Sequence, residues 1–458
     1  MATELSEAWE LFESGDSQGS MRVLRTAADR LPPAEVAPLV ARLARGAGFE
    51  DLAEASTALA ARPGEAEALY AYGYACIERG IDAVAVPALR EALRLVQAAP
   101  VAPPTAPART GLFRRKPKPQ AAQQLGLRKV LLELVSALEG CERHAEALSV
   151  LREHDARLDD WPDRYLTAYN ALMSGQLPLA RRVYEALSAP EGVWAGPAQR
   201  IGRMLERAAA LPPVDDRDLR GWHYVLTGGL LTTLSPHGFD QGMTGRWAYL
   251  QDDFEHCRYG LERLRTVLAA TGRQPASVGL LADRGSRALG LAAARVLGVP
   301  AAPYQPGTPS APGAPDVPDV LVVAYDLNEC DPDEVARLHE RAPGQLLFEH
   351  ATCWTDPPAV TADVSTLLGQ IVNAPWEAGL HFSEDGETEE PEPDRRSAEE
   401  LAEAILAAAP TAPEGDGQTP PDADDVLTAF AARAAGWPAA GPRDRIRSAG
   451  PVRSSRFA

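Results

Sequence analysis

The side chains of this chain best suited to chemistry stand at the ends of apolar runs. In "VLVVAYDLNECDPDEV", which begins at Val320, an apolar run is followed at once by Asp326, Glu329, Asp331, Asp333 and Glu334. Ligands of α/β sheets bind at the carboxyl ends of strands, so this acidic lip reads either as a cation site or as the capped start of a helix. Acids are favoured at helix N-termini by capping and by the dipole, and that alone explains Asp331 and Asp333. A second loop, Asp283, Arg284, Gly285, Ser286 and Arg287, lies between a strand-like and a helix-like run. Gly285 lets the backbone turn, Ser286 can cap, and two guanidinium groups suit an anion held bidentately. Pairing with surface acids is the alternative for both arginines.

Other combinations are weaker. "FEHATCW" brings Glu349, His350 and Cys353 together, but alternation along a strand sends Glu349 and His350 to opposite faces. Zinc needs three or four converging ligands, so no metal is expected there, and no cofactor. Ser235 with His237 lacks a nucleophile elbow, and "TGGLLTTL" lacks the lysine of a phosphate loop. The stretch from Trp222 to Trp247 sets Tyr224, Phe239, Arg246 and two histidines, His223 and His237, among glycines. It is expected to form short strands and turns. Equally, its aromatics are a domain core and its glycines turns.

"VGLLADRGSRALGLAAARVLGVPAAPY" resembles the first βαβ unit of a type I phosphoribosyltransferase: a strand, a small-residue loop that holds pyrophosphate, a helix, and a strand near a "GVP" turn. The family's second feature is four apolar residues, two adjacent acids, and a Thr/Ser/Gly loop around the ribose 5′-phosphate. Here "VLVV" supplies the apolar run, Ala324, Tyr325 and Asp326 stand where the acids would be, and Glu329 and Asp331 occupy the loop. Two like charges about 4 Å apart cost on the order of 4 kcal/mol at an effective dielectric of 20. The resemblance therefore implies the fold, a hood from Trp222 to Trp247 over the strand ends that brings Arg246 near Arg284 or Arg287 in a positive pocket, and a ligand-binding set of Asp283, Arg284, Gly285, Ser286, Arg287, Arg246 and Asp326, without catalysis. Neither phosphoribosyl pyrophosphate nor magnesium is expected to bind the lip.

The first half is helical. Ala8, Ala41, Gly73, Val135 and Ala168 recur at separations of 33, 32, 62 and 33, each with small or apolar residues at matching offsets. Removing roughly 29 residues from the long interval restores a period of about 34. That interval holds "QAAPVAPPTAPARTGLFRRKPKPQAAQQ", so residues 98–124 are expected to be a disordered insertion. The pattern resembles the tetratricopeptide repeat, which implies an all-α solenoid over 1–211 that binds a protein partner through the first helix of each unit. Tyr70, Tyr74, Arg128, Tyr165 and Tyr169 are the expected partner-binding residues; packing between repeats is the other reading.

At 458 residues the chain can hold two or three domains. An α/β domain with a mainly parallel sheet is expected over 214–383, including a helix near 360–371. An acidic linker with short helices should follow over 384–437, then a disordered basic tail over 438–458. A net charge of −19 argues against nucleic acid, no run of about 18 apolar residues suggests a membrane span, and the first residues lack a signal-peptide pattern. Five scattered cysteines fit reduced thiols in a cytoplasm. The leading expectation is a cytoplasmic scaffold with a non-catalytic α/β domain. The alternatives are an enzyme or sensor that binds a nucleotide, ribose phosphate or other anionic small molecule, and a purely structural α/β domain.

Overall fold

The computed structural model describes residues 2–98, 125–190, 192–305, 319–378, 381–382, 388–389, 392–434, 436–438 and 441–454. Of the insertion expected over 98–124, Ala98 closes a helix and the rest lies outside the described residues. The chain divides into two compact units, Met1–Ala189 and Pro190–Ala458, so the second begins some twenty residues before the boundary expected from sequence.

The first unit is all helical: α1 Ala2–Glu13, α2 Ser17–Ala27, α3 Pro33–Gly46, α4 Glu50–Ala61, α5 Ala66–Glu78, α6 Asp82–Ala98, α7 Leu127–Gly140, α8 His144–Glu153, α9 Tyr165–Met173 and α10 Leu177–Glu185. α1 packs on α2, and from α3 onward each helix packs on the next in the chain. The recurring positions 8, 41, 73, 135 and 168 all lie buried on the first helix of a pair, and Ser20, Ala53, Ala85, Ala147 and Ala180 lie buried on the second. Small residues are needed there because the helices cross closely: a Cβ on Gly73 would stand 2.5 Å from the Leu89 side chain. The turn inside each pair carries one residue with positive φ, namely Gly15, Gly48, Gly80, Glu142 and Gly175. These keep the same separations as the core positions, so the unit is a helical-repeat solenoid.

The second unit comprises α11 Ala195–Ala210, α12 Leu219–Thr227, β1 Leu230–Leu231, β2 Trp247–Gln251, α13 Phe254–Ala270, β3 Ser277–Leu280, α14 Arg284–Leu297, β4 Ala301–Pro303, β5 Val320–Ala324, α15 Pro332–Leu338, β6 Gln345–Cys353, β7 Val364–Asn373, β8 His381–Phe382, β9 Thr388–Glu389, α16 Ala398–Ala407 and α17 Asp424–Arg433. The main sheet is parallel in the order β1-β7-β6-β5-β3-β4, with β2 also on β7. β1 and β2 are one edge strand broken by residues 232–246. Side chains of β5 alternate between two cores. Leu321 and Val323 join the cluster that includes α13 and α14, whereas Val322 and Ala324 join Val335 and Leu338 of α15. Cover on both faces is why the strand reads as an unbroken apolar run.

Four expectations need correction. Residues 364–373 form β7 and no helix; the strand is hydrogen-bonded on both sides, and its first six residues are buried, so it shows no period of two. Residues 219–227 are helical, started by the Asp218 carboxylate on the Gly221 N–H and closed by Gly228 at φ 79°. The segment taken as a linker belongs to the α/β unit, with α16 on α14 and α17 on α13. The basic tail is also seated over 441–454, where Arg443 and Val452 are fully buried. Among the described residues no helix is long and apolar enough to cross a membrane.

Candidate functional site

The order in which strands are added reverses at β3, with β4 on one side and β5 on the other, so the carboxyl ends of β3 and β5 flank the crevice where such a sheet holds a ligand. The loop after β3 is built as an anion loop would be, but its groups are engaged by this chain. Asp283 accepts the Ser286 N–H at 2.7 Å and starts α14. Ser286 is buried, and its Oγ accepts the Tyr325 N–H at 2.9 Å. Arg284 donates to the carbonyls of Asp394 and Arg396, and Arg287 pairs with Glu399 at 2.9 Å. The Trp376 ring lies against Gly285, where a Cβ would stand 2.8 Å from it.

In the lip after β5, Asp326 and Asp331 bond to the chain's own backbone. Asp331 accepts the N–H groups of Asp333 and Glu334 at 2.9 and 3.1 Å, the helix cap expected from sequence. Asp326 accepts the Asn328 N–H. Glu349 is fully buried and accepts the Leu327 N–H at 2.9 Å. Burial raises both carboxyls well above the ordinary range; the charge of Asp326 adds to the shift of Glu349, and that of Glu329 to the shift of Asp326. Cys330 donates to Asp283 Oδ2 and to the Asp326 carbonyl, both at 3.3 Å.

Beside this crevice lies a group the sequence did not single out. Asp252, directly after β2, is 2% exposed. Its Oδ2 accepts the Tyr325 hydroxyl at 2.7 Å, lies 3.1 Å from His350 Nε2, and accepts the Cys257 thiol at 3.4 Å. His256 Nδ1 is 3.5 Å from Oδ1. Burial pushes the Asp252 carboxyl up, but the neighbouring His350 and bonds from His256, His350 and Tyr325 outweigh it and hold it low. Burial, with Asp252 adding, raises the Cys257 thiol. Glu349 and His350 do face opposite ways: a Cβ on Gly260 of α13 would meet His350 Nδ1 at 2.7 Å, while Glu349 holds the loop that leads to α15.

Arg246 lies elsewhere. Between β2, which it precedes, and β3 stand β7, β6 and β5, four strand steps of about 4.8 Å or roughly 19 Å. The expected pocket of Arg246 with Arg284 and Arg287 is therefore not formed. Arg246 instead donates to the Val452 carbonyl at 3.0 Å and lies 5.1 Å over the Trp354 ring. With His223, Thr352, Trp354, Leu368 and Ile446 it lines a cavity of about 70 Å³. Among the described residues, none hydrogen-bonds to the buried His223 Nε2. Burial, and then the Arg246 charge, push the His223 ring down to about 4.

In the helical unit Tyr70 and Tyr74 stack on α5 with ring centres 6.2 Å apart. Lys129 of α7 lies 4.7 Å over the Tyr70 ring, and the Tyr70 hydroxyl donates to Glu133 at 3.4 Å. Tyr74 is 42% exposed. Arg128 grips the buried Asp163 with two N–H groups, each at 2.8 Å. Tyr165 is buried and stacks between Trp161 and Tyr169, at 5.5 and 6.4 Å, so it packs the end of the array and presents no ring to a partner.

No family model matches the chain, and no curated protein matches it by sequence.

Proposed function

We propose that this chain is a cytoplasmic protein-interaction scaffold in which a tetratricopeptide-like array binds a segment of a partner protein. The observation that carries the reading is the strip of Tyr70, Tyr74, Lys129 and Glu133 across α5 and α7. Stacked tyrosines give rigid, amphipathic contact area, and a neighbouring cation and acid add orientation. Repeat solenoids bind through such first-helix faces because each repeat adds to one continuous surface. The α/β unit is read as a phosphoribosyltransferase-like domain without catalysis, because Arg284, Arg287 and Ser286 are held by the chain itself. To test the scaffold, the full chain is immobilised and retained proteins are identified, beside a Tyr70→Ala/Tyr74→Ala variant. Loss of a retained protein in the variant supports the reading; identical retention removes it.

A second reading, a sensor of a small anionic molecule, is favoured by Arg246 and His223 lining one cavity. Thermal shift with nucleotides and ribose phosphates tests it. A rise in melting temperature abolished by Arg246→Ala supports it, and no rise at millimolar ligand counts against it.

A further inference from the structure

We infer that Asp252, Cys257 and His350 form a buried zinc site at the carboxyl edge of the sheet, with the Tyr325 hydroxyl as the oxygen for a fourth position. How this chain treats its other buried aspartates points to it. Asp163 takes the guanidinium of Arg128, and Asp363 takes those of Arg341 at 2.8 Å and Arg443 at 2.7 Å. Asp252 is equally buried, yet among the described residues no arginine or lysine pairs with it; His350, His256, Cys257 and Tyr325 surround it instead. A buried charge is either paired or coordinates a metal.

The donor set and its spacing favour the metal. Nitrogen, oxygen and sulfur ligands together are characteristic of zinc, and the donor atoms of these three residues all lie within 4.8 Å of one another. On a tetrahedral zinc, with bonds of about 2.0 Å to nitrogen and oxygen and about 2.3 Å to sulfur, neighbouring ligand atoms are roughly 3.3–3.6 Å apart. Here Nε2 and Oδ2 are 3.1 Å apart, and Sγ and Oδ2 3.4 Å. The other carboxylate oxygen, Asp252 Oδ1, is buried and faces His256 Nδ1 at 3.5 Å, which leaves Oδ2 to the donor set. A divalent ion with one carboxylate, one thiolate and a neutral imidazole forms a charge-balanced centre, and its binding releases the Cys257 proton to solvent. The site ties the start of α13 to β6, and with Tyr325 to the end of β5. Its closure from water marks it as structural.

The full chain is produced in zinc-supplemented medium, dialysed against metal-free buffer and assayed for zinc by plasma mass spectrometry. The expected result is about one zinc per chain, falling at least roughly tenfold in Cys257→Ser and His350→Gln, while Cys330→Ser keeps it. Because ligand variants can fail to fold, cobalt is also titrated into wild-type chain stripped of metal. A thiolate-to-cobalt charge-transfer band with tetrahedral d–d bands supports the site. Wild-type chain that retains no zinc and shows no cobalt spectrum overturns it, leaving a protonated histidine as the cation. Zinc retained equally by Cys257→Ser overturns it as well.

Discussion

Arg443 and Asp363 meet at 2.7 Å with neither side chain exposed to water. Asp363 stands just before β7, and Arg443 belongs to the basic tail; the guanidinium also donates to the Leu338 carbonyl and to Gln345 Oε1 at 2.7 and 2.8 Å. The tail is thus bonded to the amino ends of β6 and β7. Farther along, the Val452 carbonyl accepts Arg246, so the same segment reaches the broken edge strand.

Removing one partner of a buried ion pair leaves an uncompensated charge, which costs about 3–5 kcal/mol. Arg443→Met is expected to lower the stability of the α/β unit by that amount in urea denaturation, and removal of residues 439–458 to do at least as much. A loss below about 1 kcal/mol, the size of an exposed pair, would mean that the tail is not seated.

His223 makes stability depend on pH. Its folded pKa, about 4, is depressed below the ordinary 6.5, so the unfolded chain binds more protons between those values. The contribution is fully present above pH 6.5 and is lost as pH falls towards 4, with a slope of up to about 1.4 kcal/mol per pH unit for one proton. In His223→Phe this part of the profile should flatten. Parallel profiles for the two proteins would show that the ring is protonated without penalty.

The insertion is expected to be dispensable. α6 and α7 pack directly on each other, and the repeat phase resumes after the long interval without help from it. Replacing residues 101–122 with a short Gly/Ser linker changes closure entropy by only about 0.6 kcal/mol per halving. A melting temperature lowered by about ten degrees, beyond what such a change produces, would refute this.

What was legible in the sequence was local. The small residues at 41, 53, 73 and 85 and the strand at Val320 declare themselves because packing and pleat repeat over short windows. So does the Asp331 cap, whose partners are two and three residues away. β7 was not legible, since a strand paired on both sides and buried at its start has lost its alternation. Arg443 finds Asp363 80 residues away, and His350 finds Asp252 98 residues away. No spacing rule reaches that far, so the tail read as solvated and the Asp252 cluster was invisible. Arg246 and Arg284 were joined in expectation by family resemblance alone, and the strand order keeps them apart.

Glu142 offers a test of the repeat itself. It has φ 56° in the turn between α7 and α8, where the other four pairs place Gly15, Gly48, Gly80 and Gly175, also at positive φ. A residue with a Cβ pays about 1–2 kcal/mol in that conformation, and glycine gives back part of the gain through the entropy of the unfolded chain. Glu142→Gly should therefore stabilise the helical unit by about 0.5–1 kcal/mol, and Gly48→Ala should destabilise it by a similar amount. Both are read from equilibrium denaturation of the full chain, following the helical signal. If Glu142→Gly destabilises the protein, the turn at 142 is not equivalent to the others, and the fourth pair departs from the repeat.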